Sequence, residues 1–331
     1  MDGQPDAIAL DVHAHLLPVN VERLADAPGV KWNDAEGSLT IDGHQVGMKK
    51  LFRPDLLLEW MNEMNVEHAW VSAPPPAYRQ HLFDEDAYSW SNYLNEQLAA
   101  VCLRSAGRLS PLMHLPTQDP GQANRIARHC ARAGHNKFSM PTGTGRDLAL
   151  SNDSFNDLWK TLDDAKAFVF FHPGECADGR LKAFYLGNLL GNPYESAVAL
   201  AHLVFSGVLE RHVNIVPCFA HAGGLTPMVV GRWDQGYATA RPGVDLSLEK
   251  PSRLMNRVHV DCICHSEPAT FMADRTFGPK NVVFGSDWPF PMGLMNPREQ
   301  LKALGQDRLQ RYLSDNPRKL MDRFNVRKEE T

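Results

Sequence analysis

AFVFFHP, residues 167–173, is a nearly continuous apolar run that ends in a histidine. A short apolar run of this kind reads as a buried strand. On either side the pattern turns helical, with SFNDLWKTLDDAK (154–166) before it and ESAVALAHLVFSGVLERH (195–212) after it. The same alternation continues in both directions. Towards the N-terminus, the strand-like runs are AIALDVHAH (7–15), HAWVSA (68–73), RLSPLMHL (108–115) and NKFSM (136–140). Towards the C-terminus they are NIVPCFAH (214–221), RVHVDCIC (257–264) and NVVFGSD (281–287). Most are separated by helical stretches such as 54–66, 89–106, 121–134 and 268–278.

Eight strands in regular alternation with helices predict a parallel sheet with crossover helices. Over this length the expected architecture is α/β, a (β/α)8 TIM-like barrel forming one domain across 1–331. A doubly wound open sheet is the alternative, but it normally announces itself with a glycine-rich first turn. LDVHAHLLP is not one. Residues 18–53 break the rhythm. SLTIDGHQVGMKKLF, with Asp42-Gly43 at its turn, predicts a small inserted hairpin after the first strand. The terminal RKEET reads as a frayed tail.

Composition excludes several classes. The chain has 331 residues, 43% of them hydrophobic and 22% charged, which fits a globular fold and not disorder. Its net charge of −5 argues against a nucleic-acid partner. No apolar run is long enough to span a membrane. The first residues lack the basic and apolar regions of a signal peptide, so the expected location is cytoplasmic. Six scattered cysteines with no C-x-x-C pair read as reduced thiols.

Chemistry is concentrated at one end of the strands. His13 and His15 are two apart, so a strand turns both to one face. His172, His221, His265 and Asp287 each come directly after an apolar run. In a barrel, that end is where active sites form. Imidazole nitrogens and a carboxylate oxygen are ligands for one divalent ion. His13, His15, His172 and Asp287 would supply three nitrogens and one oxygen, zinc being expected first and manganese second. No organic cofactor motif is visible.

HAH, FFHP, FAHAGG and GSDWPFP, in that order, resemble the metal-dependent amidohydrolase superfamily. The closer resemblance is to the branch of aminocarboxymuconate-semialdehyde and hydroxybenzoate decarboxylases, from about Ile8 to about Phe324. It implies a distorted barrel with one catalytic metal held by His13, His15, His172 and Asp287. It places the acid/base role on His221, with Asp287. It puts Arg232 of VGR in the neighbouring subunit's site, on a substrate carboxylate, and so implies a homodimer. Phe290 would line the pocket, with Trp288 beside it, and His265 would either support a neighbouring site residue or contact substrate.

The chain also departs from that pattern. Where the semialdehyde decarboxylase carries a second arginine, Met48 stands here, with Lys49 and Lys50 beside it. Lys49 is the candidate replacement cation, though it binds as a point and not as a fork. After His172 comes PGE in place of an aromatic-rich stretch. Lys137 opens its strand, the wrong end for a bridge between two metals. His129, His202 and His212 lie in helical patterns and read as surface or helix-end residues. Asp261 reads as an orienting carboxylate, and Cys262 and Cys264 as core.

The expected activity is therefore non-oxidative decarboxylation of an aromatic, heteroaromatic or muconate-type acid. The alternative is hydrolysis of a cyclic amide, imide or lactone at the same site, since a fold does not choose its chemistry.

Overall fold

The computed structural model describes residues 7–24, 27–146, 148–174 and 176–324. RKEET and Glu175 lie outside them. In chain order the strands are β1 (Asp11–His15), β2 (Val30–Asn33), β3 (Ser38–Ile41), β4 (His44–Gln45), β5 (Ala69–Ser72) and β6 (Leu109–Pro111). They continue with β7 (Met113–His114), β8 (Lys137–Pro141), β9 (Phe168–His172), β10 (Val216–Phe219), β11 (His259–Asp261) and β12 (Val282–Val283).

Apart from β2–β4, every strand pairing is parallel. One sheet runs β1-β5-β6 and another β12-β11-β10-β9-β8-β7. β6 and β7 are two parts of one extended stretch around Leu112, whose N–H donates to the Val71 carbonyl (2.8 Å). At the other edge, the chain just beyond β12 reaches β1. Val12 N–H donates to Phe284 O (3.0 Å), Asp287 N–H to His13 O (2.7 Å) and His15 N–H to Trp288 O (2.8 Å). The two sheets thus meet through the continuous chain at Leu112 and through backbone hydrogen bonds between β1 and the residues after β12. The architecture is α/β with a mostly parallel sheet.

Burial explains the two-sided core. The strand faces turned inwards carry Val12, Trp70, Leu112, Phe168, Phe170 and Cys218, which form one apolar cluster. The faces turned towards the helices join a larger cluster with Leu98, Ile126, Trp159, Leu203 and Phe277. Strands buried on both faces need unbroken apolar runs, which is why AFVFF shows no alternation. Lys137 begins β8 with its ammonium 5.5 Å from the Trp70 ring, at the end of the strands opposite the histidines. Its role is packing.

Residues 30–45 fold as a three-stranded antiparallel sheet, β2-β3-β4. The expected hairpin at Asp42-Gly43 is its second turn. A first turn between Asn33 and Ser38 adds another strand, which the short alternation of VKWN did not reveal. Asp42 adopts a left-handed conformation (φ 50°) and grips the Arg79 guanidinium with both carboxylate oxygens.

Candidate metal centre

The four expected ligands converge. One ligand atom from each of His13, His15, His172 and Asp287 lies within 4.8 Å of all the others, and all four residues are buried. β1 carries the first two histidines, β9 ends on His172, and Asp287 follows β12. Gly285 permits this approach. A Cβ there would lie 2.8 Å from the Cβ atoms of both His13 and Asp261.

Each imidazole is oriented from behind. His13 Nδ1 donates to Asp261 Oδ2 (2.8 Å), His15 Nδ1 faces Ser72 Oγ (3.1 Å), and His172 Nδ1 donates to the Pro173 carbonyl (2.8 Å). This leaves the three Nε2 atoms facing the centre. His13 Nε2 and His15 Nε2 lie 3.1 Å apart, and each is 3.2 Å from Asp287 Oδ1. His172 Nε2 and Asp287 Oδ1 are buried with no hydrogen-bond partner among the described residues. Buried polar atoms left in this state are costly. Lone pairs aimed at one point, with carboxylate and carbonyl partners behind, are what a divalent ion requires. The residues fit a metal.

The electrostatics agree. Burial and the neighbouring imidazoles hold His172 well below the usual histidine range, and burial lowers His15. Both are therefore neutral and able to ligate. Burial alone would also lower His13, but Asp287 and Asp261 outweigh it and hold it up at about 10. Burial would raise Asp287, yet His13, His15 and His221 keep it well below the carboxylate range.

Asp261 links the ligands to His221. Besides His13, it accepts from the backbone N–H of His221 (2.9 Å), Ala222 (2.9 Å) and Ile263 (3.0 Å). His221 Nε2 stands 3.9 Å from Asp287 Oδ2. His221, Ala222, His265 and Asp287 all have positive φ, between 53° and 57°. Non-glycine residues held this way cluster where a site demands it. Gly224 closes the same turn, and a Cβ there would fall 2.1 Å from the Pro193 carbonyl oxygen.

Two cavities meet above the ligands, of about 370 Å³ and about 630 Å³, and His221, Asp287, Asn188, Asn192 and Met292 line both. His265 lines the smaller and Phe290 the larger. The Phe290 ring also meets His15 edge-on at 5.5 Å. Trp288 is 2% exposed and packs in the core, away from both cavities. Lys49 is exposed and donates to the Glu36 carbonyl (2.5 Å), and it too lies outside both. Met48 packs against the core. Arg232 is exposed on the helix Thr226–Ala238, without a hydrogen bond or ion pair among the described residues.

Some residues lay beyond the sequence reading. Asp11 accepts from His13 N–H and Ser286 N–H, and burial pushes it up to about 6. Its position two before His13 was the available signal. Cys262 is core as expected, but Cys264 is half-buried and lines the smaller cavity, because the chain turns at once after Asp261.

The amidohydrolase family model matches residues 10–323. The chain belongs to the amidohydrolase family. Among curated proteins, it is 27% identical to a 2-amino-3-carboxymuconate-6-semialdehyde decarboxylase of Dictyostelium discoideum, over 90% of this chain and 86% of that one. Two solved structures share the amidohydrolase fold at 18% identity. Apo IDCase from Metarhizium anisopliae has a TM-score of 0.79 over 97% of this chain and 98% of that one. Dihydroxybenzoic acid decarboxylase from Polaromonas sp. JS666, with bound manganese and the inhibitor 2-nitroresorcinol, has a TM-score of 0.76 over 97% of each chain. Among the described residues, no helix is long and apolar enough to cross a membrane.

Proposed function

We propose that this amidohydrolase is a metal-dependent carboxy-lyase. It removes carbon dioxide, without oxidation, from an aromatic, heteroaromatic or muconate-type carboxylic acid. The observation that carries the reading is the convergence of His13, His15, His172 and Asp287 beneath a cavity that His221 also lines. The decarboxylase names of the relative and of the manganese-bound neighbour support the choice of reaction.

In this reading His13, His15, His172 and Asp287 hold one divalent ion, zinc before manganese, and no organic cofactor is needed. When bound, such an ion supplies positive charge for substrate oxygens. His221 carries the proton. Its imidazolium delivers it to the ring or alkene carbon that bears the carboxylate, the C–C bond breaks, and carbon dioxide leaves. Asp287, 3.9 Å away, stabilises the charged imidazole. Phe290 and His265 flank the substrate.

The strands form one closed (β/α)8 barrel, and residues 18–53 are an insertion into that single domain. The enzyme works in the cytoplasm as a homodimer, with Arg232 reaching the partner's site to bind a substrate carboxylate. Arg232 and Met228, which is 69% exposed, stand one turn apart on the same open helix face. An arginine fork suits a carboxylate.

Elemental analysis of the purified protein, paired with a carbon-dioxide release screen over hydroxybenzoates, aminobenzoates, hydroxypicolinates and muconate semialdehydes, tests the reading. About one metal per chain with release is expected. Metal without release, together with opening of a lactone or imide ring, would move the chain to hydrolysis.

A further inference from the structure

The larger cavity has one wall that is built as a separate loop. It belongs to residues 176–192, the segment between β9 and the helix Asn192–Phe205. Lys182, Tyr185, Asn188 and Asn192 line the cavity from this wall. Among the described residues, the hydrogen bonds of residues 178–186 all stay inside the segment. Leu181 N–H donates to Asp178 O, Leu186 N–H to Ala183 O, and the N–H groups of Asn188 and Leu189 to Tyr185 O. The Arg180 guanidinium clamps both carboxylate oxygens of Asp178. At the base the two ends pack together. Gly191 is buried, and a Cβ there would fall 2.8 Å from the Cβ of Cys176 and 3.5 Å from Leu181 Cδ1. Compact loops closed at the base in this way are frequently functional. The π-helical turn Gly187–Gly191 that completes the loop is a rare feature found mostly at functional sites.

The tip of the loop is apolar and strained. Phe184 is 87% exposed and Tyr185 67% exposed. Both hold positive φ, 56° and 59°. Consecutive non-glycine residues in the left-handed region cost free energy, and rings that face water recover none of it by burial. Neither ring meets another ring or a cation among the described residues. The cavity beneath offers apolar surface in Pro75, Pro76, Phe290, Pro291 and Met292. The tip also has room to turn. A Cβ at Gly179 would meet nothing within 4 Å, and one at Gly187 only the Leu181 carbonyl oxygen, at 3.9 Å.

We infer that residues 179–187 form a strap that closes over the bound substrate. It turns about Gly179 and Gly187, lays the Phe184 and Tyr185 rings on the unsaturated face of the substrate, and shuts water out of the larger cavity. Exclusion of water leaves His221 as the proton source for the reacting carbon and strengthens the charge contacts around it. The inference takes its ligand, an unsaturated acid, from the proposed function and does not depend on the loss of carbon dioxide.

Limited chymotrypsin digestion of the metal-loaded protein tests it, with and without 2-nitroresorcinol, the inhibitor bound in the Polaromonas neighbour, at a saturating level set by calorimetry. Chymotrypsin cuts after exposed aromatic residues, so the free protein should be cut after Phe184 or Tyr185. The inhibitor should slow that cut about tenfold or more and leave cutting at Phe83, exposed before the helix Asp84–Leu103, unchanged. Phe184→Ala should keep metal content and melting temperature but weaken the inhibitor's Kd about tenfold, and Phe184→Leu should restore most of the affinity. Equal cutting with and without inhibitor, or an unchanged Kd in Phe184→Ala, overturns the strap. So does protection that grows with protein concentration and not with inhibitor, which would give the two rings to a second copy of the chain. Carbon-dioxide release that Phe184→Ala leaves untouched, with an unchanged Kd, removes the strap alone. Protection by the inhibitor and a weakened Kd without any release keep the strap and remove the decarboxylase reading.

Discussion

The floor of the cavity and its 176–192 wall are built from opposite materials. On the floor, His13, His15 and His172 are 3% exposed or less, sit on strands, and have their second ring nitrogens committed to Asp261, Ser72 and Pro173. On the wall, Lys182, Asn188 and Asn192 sit outside the sheet, with no side-chain hydrogen bond or ion pair among the described residues. A group held from behind by buried hydrogen bonds can meet the narrow geometry that a metal demands. A group on a connecting segment can change without disturbing the sheet. In the proposed reading the chemistry is anchored in the sheet, and the connection is free to vary.

Ligand removal tests this contrast at its strongest point. His172→Ala takes one of the three imidazoles from the centre. Metal content should fall to near zero, and turnover should drop by about three orders of magnitude or more. A variant that keeps full metal would break the identification of the floor. His221→Ala should behave differently, because its Nε2 is not among the converging ligand atoms. Metal should stay, while kcat falls by about 10²- to 10⁴-fold. Loss of the ion instead would make His221 a ligand.

Arg232→Ala addresses the exposed face of the helix Thr226–Ala238. It should retain metal and raise KM by roughly tenfold to a hundredfold, the cost of an arginine–carboxylate fork. Mixing Arg232→Ala with an inactive His221→Ala protein should restore some activity if each site borrows its arginine from the partner. No recovery in the mixture, with an active monomer by sedimentation, would end the shared-site proposal.

The floor was legible because each ligand follows an apolar run in the sequence, and the strand period turns His13 and His15 to the same side. Asp261 was legible for the same reason. Ser72 and Ser286 were not, since a small polar residue in or just after a strand gives no sign of which partner it faces, and Asp11 offered only its place two before His13. Lys49 shows the limit from the other direction. Its position beside Met48, where the resembled family carries a second arginine, suggested a substrate cation, but a single turn at Lys49–Phe52 sends its ammonium to the Glu36 carbonyl. Lys182 carried no periodicity that could point to the cavity, because only the path of residues 176–192 brings it there.

The smallest predicted effect separates burial from ligation on the strands themselves. His114 ends β7, fully buried, stacked on the Tyr78 ring at 5.2 Å, with neither ring nitrogen hydrogen-bonded among the described residues. Burial pulls it from 6.5 down to about 4. Between those values the unfolded chain takes up a proton that the folded chain refuses. Its neutral form therefore costs nothing above pH 6.5, and stability is lost as pH falls towards 4. By pH 5 this one group should cost about 2 kcal/mol relative to pH 7.5. His68 and His259 are also depressed to about 4 by burial, so the wild type alone cannot isolate the effect. Urea unfolding of the wild type and His114→Phe at both pH values cancels those shared contributions. The wild type should lose about 2 kcal/mol against the variant on going to pH 5. A gap that does not change with pH would mean that His114 is protonated in the fold, and that apolar packing on the strands is not what keeps an imidazole neutral there.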